Sequence, residues 1–217
     1  MMSGKSQLVI IGAGGHALSV ADAALSSGWS SISFYSQDGT GPAESVGPVF
    51  STLESLDLAT TRFALGIGTN HEREVAWEEV RKGFPTAQLT SVIHATAWVS
   101  PHSTVHNGAV ILAHASVGPG SIIERGALLN TGASLDHDSS LGSFSSLGPG
   151  ARTGGNVRIG ERSMIGMQAG ILHGISVGSD TVIGAHSLVN QDVENNTVAW
   201  GSPARVMRSR AREDAYY

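Results

Sequence analysis

From Ile93 onward, every sixth residue is aliphatic. The column runs Ile93, Val99, Val105, Ile111, Val117, Ile123, Leu129, Leu135, Leu141, Leu147, Thr153, Ile159, Ile165, Ile171, Val177, Ile183 and Val189. Sixteen of these seventeen are Ile, Leu or Val, and the exception, Thr153, is still β-branched. Chance would supply about four. Six is neither the 3.6 of a helix nor the 2 of a simple strand. It is the period of a β-helix, in which each hexad gives one short strand and one turn. Three hexads close a triangular coil with the aliphatic residue pointing inward. Four residues later the chain is usually small, as at Ala97, Ala109, Ala115, Ala127, Ala133 and Ala151, so that a corner can be filled. Residues 93–189 number 97, or a little over five coils of eighteen, stacked about 4.8 Å apart. The register never slips, so no loop is inserted into the prism.

The composition fits such a coil. Glycine is 28 of 217 residues and charged residues are 14%, against about 25% in an average domain. With 41% apolar residues the chain can bury a core and is not a disordered one. A net charge of -5 leaves no footprint for nucleic acid. The absence of cysteine removes disulfides, zinc–thiolate sites and a cysteine nucleophile, and fits a reducing compartment. Near the start, the apolar run before Gly12 is too short for a secretion signal, and no stretch of 18 apolar residues follows. The expectation is a cytoplasmic protein with no membrane span.

Residues 1–90 read differently. Leu8–Ile11 is a strand entering Gly12-Ala13-Gly14-Gly15-His16-Ala17, a G-x-G-x-x-A turn in the context that binds phosphate at a helix N-terminus. A helix over Ala17–Leu25 is expected to bury Leu18, Ala21 and Leu25 on one face. Further strands are expected at Ser31–Tyr35 and Arg62–Ile67, with Thr69 or Asn70 capping a second helix through Val75, Ala76 and Val80. The unit is too short for two mononucleotide halves, and the acid expected after strand two is not clearly present in Tyr35-Ser36-Gln37-Asp38. It reads as a half-Rossmann platform for one nucleotide diphosphate, or as a packing cap without ligand.

Gly12-x-Gly14-Gly15-His16, the segment Gly66-Ile67-Gly68-Thr69-Asn70, the hexads and the ending Gly201-Ser202-Pro203-Ala204-Arg205 together resemble one bacterial family. It contains UDP-4-amino-sugar N-acetyltransferases, including the UDP-N-acetylbacillosamine enzymes, and sialic-acid O-acetyltransferases; GDP-perosamine N-acetyltransferases are also similar. The resemblance implies an α/β Rossmann-like half domain (1–90) for the nucleotide sugar and a left-handed parallel β-helix (91–217) for acetyl-CoA. It further implies a homotrimer, no metal, and direct acetylation of a nucleotide-linked amino sugar at the C4 amine. O-acetylation of sialic acid or a related sugar is the alternative.

Such a transfer needs a base whose pKa lies near working pH, which points to histidine. Of nine histidines, His137 has a carboxylate on either side, Asp136 and Asp138, and either could orient its ring. The family's (Glu/Asp)-His-(Glu/Asp) segment implies His137 as base and Asp138 as its partner, with Asn130 matching an active-site Asn. It also implies acetyl-CoA contacts at Gly155 and Met167, and at Ala185 in place of a glycine. Arg205, with Arg208 and Arg210, would meet the CoA phosphates. The sugar nucleotide is expected at Gly12, Gly14, Gly15, His16, Ser36, Gln37, Gly68 and Asn70. Ser146 stands where the family often has a second histidine, and Ser36-Gln37 where uridine-binding members often have an Asp pair.

Hexapeptide β-helices also host zinc hydratases. His137 and His173 share a column two coils apart, so a rise of about 9–10 Å is expected to keep one zinc from taking both. A structural or ice-binding solenoid needs no phosphate turn, and the regular Thr-rich face that ice binding favours is absent.

Overall fold

The computed structural model describes residues 7–216. The residues ahead of Gln7, part of the stretch read for a leader, lie outside the described residues. Strands β1 (Gln7–Ile11), β2 (Ile32–Tyr35), β3 (Val49–Phe50) and β4 (Thr61–Leu65) form a parallel sheet in the order β3-β2-β1-β4. Helices α1 (Gly15–Ser26) and α2 (Asn70–Gly83) cover its two sides. Alternation along β1 explains why: Leu8 and Ile10 join Ala17, Val20, Ala21 and Ala24 of α1, whereas Val9 and Ile11 join Trp77 and Val80 of α2.

The buried face of α1 is the expected one in part: Ala21 is buried and Leu18 packs against the core, but Leu25 does not. Leu25 is 48% exposed, and Ala17, Val20, Ala21, Ala23 and Ala24 are fully buried. The reason is a second partner. Val92, Val110, Leu112 and Leu128 of the hexad region pack into the same core, so α1 lies between sheet and prism. Alanines let it approach both. Neither Thr69 nor Asn70 caps α2 with its side chain, and β3 and the short turn of 3-10 helix at Pro42–Ser45 were not signalled by any periodicity.

The hexads form three parallel sheets, the faces of a triangular prism. Face I holds the strands beginning at Val92, Val110, Leu128, Ser146, Met164 and Val182. Face II holds those beginning at Trp98, Ser116, Ser134, Arg152, Gly170 and Leu188. Face III holds those beginning at Thr104, Ile122, Ser140, Arg158 and Ser176. Each residue pairs with the one eighteen later, as Leu129 with Leu147 and Leu135 with Val117. The inward column from Ile111 to Val189 is buried, with Ala109, Ala115, Ala127, Ala133, Ala151 and Ala169 beside it. These spacings and the parallel pairing make a three-sided parallel β-helix, as expected for the left-handed β-helix that the resemblance implied. An antiparallel hairpin, Thr197–Gly201 with Ala204–Ser209, extends face I.

Arg73 locks α2 to the prism. Its fully buried guanidinium donates to Ile67 O, Gly68 O, Gly126 O and Phe144 O at 2.9–3.0 Å, and to Asn70 Oδ1 at 2.8 Å. With no carboxylate in that shell, burial pushes its pKa down to about 10.

Candidate active site

His137 sits two residues beyond the inward Leu135, at the corner between faces II and III. Its turn is pinned from four sides. Asp136 N–H donates to Thr153 Oγ1 at 3.0 Å, and Asp136 O accepts Ser121 Oγ–H at 2.7 Å. His137 O accepts Ser139 Oγ–H at 3.1 Å and Asn156 N–H at 2.8 Å. Thr153, the break in the aliphatic column, therefore fixes the peptide that carries the histidine. Asp136 Oδ1 accepts the His137 backbone N–H at 2.7 Å, which commits that carboxylate to the turn. The ring nitrogen Nδ1 instead meets Asp138 Oδ2 at 2.8 Å. Asp138 lies at φ 55°, and Gly120 one coil earlier leaves room for its carboxylate: a Cβ there would fall 2.5 Å from Asp138 Oδ1.

The hydrogen bond to Asp138 raises the pKa of His137; desolvation opposes it as the next largest effect, and the charges of Asp136 and Asp138 add smaller upward contributions. Nε2 points over Gly155, where a Cβ would lie 2.3 Å away. The second nitrogen thus opens on a floor bare of side chain. His173 bounds the same floor. Its ring centroid is 6.2 Å from that of His137, with planes at 44°. This corrects the separation expected from the coil rise. The backbones are two coils apart, but the His137 ring leans over the intervening Gly155, and the two ring centroids close to 6.2 Å. Distance therefore does not keep one metal from both rings. Among the described residues, however, no group of three or more His, Cys, Asp or Glu is placed to hold a metal ion.

The other expected residues do not lie at this corner. Asn130, Met167 and Ala185 lie at the corner between faces I and II, on the far edge of face II from His137. Met167 is 47% exposed, and Asn130 Oδ1 accepts the Thr131 N–H at 2.8 Å. Asn130 and Ser146 share a cleft of about 210 Å³ with Gly68, Met164 and Tyr216. Gly68 also touches the ring of His16, from which a Cβ there would stand 3.7 Å. On one chain, then, the expected residues of the prism lie at opposite edges of face II.

A larger cleft of about 430 Å³ opens at the ends of β1 and β2, lined by Gly12, Tyr35, Ser36, Gln37, Asp38, His71, Glu72 and Glu79 among others. None of its lining residues is Lys or Arg. Gly14, beside it, is the N-cap of α1 and has no side-chain cap, and no acid sits in the first turn. The positive end of α1 is thus available to an anion. Gly14 and Gly15 are open, with nothing within 4 Å of an added Cβ. His16 is pushed down to about 4 by burial, then by the charge of Arg73, so it is neutral at physiological pH. It brings no cation to a diphosphate.

Two expectations need correction. Asn70 is fully buried, and its amide donates to Arg162 O and Ser163 O at 3.0 Å while its oxygen accepts from Arg73. It holds α2 against the prism and does not reach the cleft. Arg210 is 7% exposed and donates to Asp180 O and Asp214 O, so it cannot meet a CoA phosphate. Arg205 is exposed on the closing hairpin. Sequence reasoning missed Thr153, Ser121 and Ser139. The aliphatic column's one break was the available signal.

Two family models match: the PglD N-terminal domain over residues 7–80, and the bacterial transferase hexapeptide (six repeats) over residues 156–191. A search of curated proteins finds no match. Among solved structures, the acetyltransferase domain of PglB from Neisseria gonorrhoeae, in complex with acetyl coenzyme A, is 34% identical with a TM-score of 0.88. That match covers 94% of this chain and 100% of the other. PerB from Caulobacter crescentus, in complex with CoA and GDP-perosamine, is 31% identical with a TM-score of 0.86, covering 93% of this chain and 97% of the other. WeeI from Acinetobacter baumannii shares the fold at 20% identity and a TM-score of 0.84. With identity above 30% over the whole length of a solved relative, and with both halves matching their own family models, the chain belongs to the bacterial hexapeptide-repeat sugar acetyltransferases.

Proposed function

We propose that this protein transfers the acetyl group of acetyl-CoA to the amine, at C4, of a nucleotide-linked amino sugar. In this reading residues 1–90 hold the sugar nucleotide and residues 91–217 hold acetyl-CoA. The observation that carries it is the His137–Asp138 pair, with Nδ1 bound at 2.8 Å and Nε2 open over Gly155. Asp138 fixes the tautomer that leaves Nε2 free to accept a proton, and steadies the imidazolium once it forms. His137 Nε2 takes the proton of the amine as nitrogen attacks the thioester carbonyl. No covalent enzyme intermediate is needed. A solved GDP-perosamine N-acetyltransferase from Caulobacter crescentus, 30% identical over 94% of this chain, favours the amine over the hydroxyl.

Gly12, Ser36 and Gln37 line the nucleotide cleft, and the N-terminus of α1 at Gly14, Gly15 and His16 takes the diphosphate. The sugar extends past Gly68 toward Asn130. Acetyl-CoA supplies the acyl group and the leaving thiol, and the bare floor at Gly155 and the exposed Met167 and Ala185 suit a pantetheine arm. Arg205 is the cation for its phosphates. Because His137 and Asn130 lie at different corners, we assign the active unit as a homotrimer, in which the His137 corner of one subunit faces the Asn130 corner of the next.

The test is thiol release from acetyl-CoA with UDP-, GDP- and dTDP-linked 4-amino sugars, and with sialic acid on the same plate. Turnover with one amino-sugar nucleotide is expected. Turnover with sialic acid alone would refute the proposal.

A further inference from the structure

Two imidazoles, not one, border the floor over which His137 Nε2 opens. His173 lies 36 residues, two coils of eighteen, beyond His137. Its ring centroid stands 6.2 Å away. That is too far for the rings to hydrogen-bond each other and wide enough to bracket a reacting carbon. The gap is kept open by the coil between them. Gly154 lies under the His173 backbone, its added Cβ 2.8 Å from His173 N, and Gly155 lies under the His137 ring. Any side chain at Gly155 would run into the His137 ring. His173 itself is exposed, bonded to no carboxylate among the described contacts, and the fold makes no use of its ring.

We propose that His173 is a second catalytic residue, the general acid that protonates the departing CoA sulfur. The inference rests on the function proposed above. As the amine nitrogen bonds to the acetyl carbon, its proton passes to His137 Nε2. As the carbon–sulfur bond breaks, the electron pair stays on sulfur, and a ring N–H of His173 delivers its proton there. The products are the acetamide and the CoA thiol, with His137 protonated and His173 neutral. Transfer of one proton from His137 to His173 through solvent restores both, so no other reactant is needed. Division of labour between two imidazoles suits this transfer, because the nitrogen must lose a proton while the sulfur gains one. A protonated sulfur leaves as the neutral thiol, so no thiolate charge builds up beside the new amide.

The test is His173→Gln, a change at an exposed position that leaves the core intact. With acetyl-CoA, kcat is expected to fall about a hundredfold. With the phenyl thioester of acetic acid, whose thiol is acidic enough to leave unprotonated, the fall is expected to shrink to within a few-fold. A second readout is independent of turnover. The thiol of CoA bound to His173→Gln, followed by thiolate absorbance, is expected to ionise at higher pH than when bound to the wild type. Unchanged kcat with acetyl-CoA, an equal loss with both thioesters, or an unshifted thiol would each overturn the proposal. His137→Ala run alongside separates the two levels: full activity there refutes the base itself, whereas its loss beside an unaffected His173→Gln refutes the acid alone.

Discussion

Gly155→Ala puts one methyl group where the proposed base opens to its substrate. The added carbon would lie 2.3 Å from His137 Nε2, 2.4 Å from Cε1 and 2.8 Å from Cδ2. Ordinary contact between such atoms is about 3.5–4.0 Å. The ring must therefore retreat by more than about 1 Å, and the 2.8 Å bond to Asp138 must bend or break with it. A misplacement of about 1 Å at a reacting group costs on the order of a hundredfold in rate. Gly155 is not among the glycines at positive φ, so alanine adds no backbone strain, and the substitution faces away from the core. The melting temperature should stay within about 2 °C of wild type. The assay pairs steady-state thiol release with a thermal melt. A variant with normal stability and a kcat within threefold of wild type would refute the reasoning, since the ring would then have no need of its place.

Other consequences follow from the same geometry. Asp138→Asn removes the main cause of the raised His137 pKa, so the acidic limb of kcat/KM should move to lower pH while the plateau falls; a limb that stays or rises contradicts the pairing. Arg73→Met leaves buried carbonyls at Ile67, Gly68, Gly126 and Phe144 without their charged donor; at about 1–3 kcal/mol per orphaned group, and less than additively, the loss should reach about 4 kcal/mol, seen as a drop of roughly 10 °C in Tm. Mixing His137→Ala subunits with subunits blocked at the other corner by Asn130→Trp should restore activity. With random assembly into trimers, about a quarter of interfaces join two intact corners, so about a quarter of wild-type turnover is expected; none would contradict the shared site.

The prism was legible because a parallel coil buries one residue in six with no relief from neighbours. Leu129, Leu135 and Leu147 are each fully buried, as the period demands. The His137 turn was legible as a histidine between two acids, but the choice between Asp136 and Asp138 was not. It depends on which carboxylate the turn spends on its own backbone, and that is a matter of three-dimensional register. The distance between His137 and His173 was misjudged because strand spacing fixes backbones, while glycines decide where rings lean. Asn70 and Arg73 were opaque for another reason. Their partners lie 53–93 residues away, on carbonyls that every sequence possesses and none advertises. The same holds for α1, whose alanine face makes sense only once a prism is packed against it.

The account stands on His137 as the group that takes the acceptor's proton. The most direct measurement is kcat of His137→Ala with acetyl-CoA and the amino-sugar nucleotide that the wild type turns over, alongside its melting temperature. The side chain is half exposed and its pinned turn is built from backbone and hydroxyl groups, so the fold should be unchanged. The account predicts a fall of at least about a hundredfold in kcat. A folded variant that turns over at the wild-type rate would contradict it.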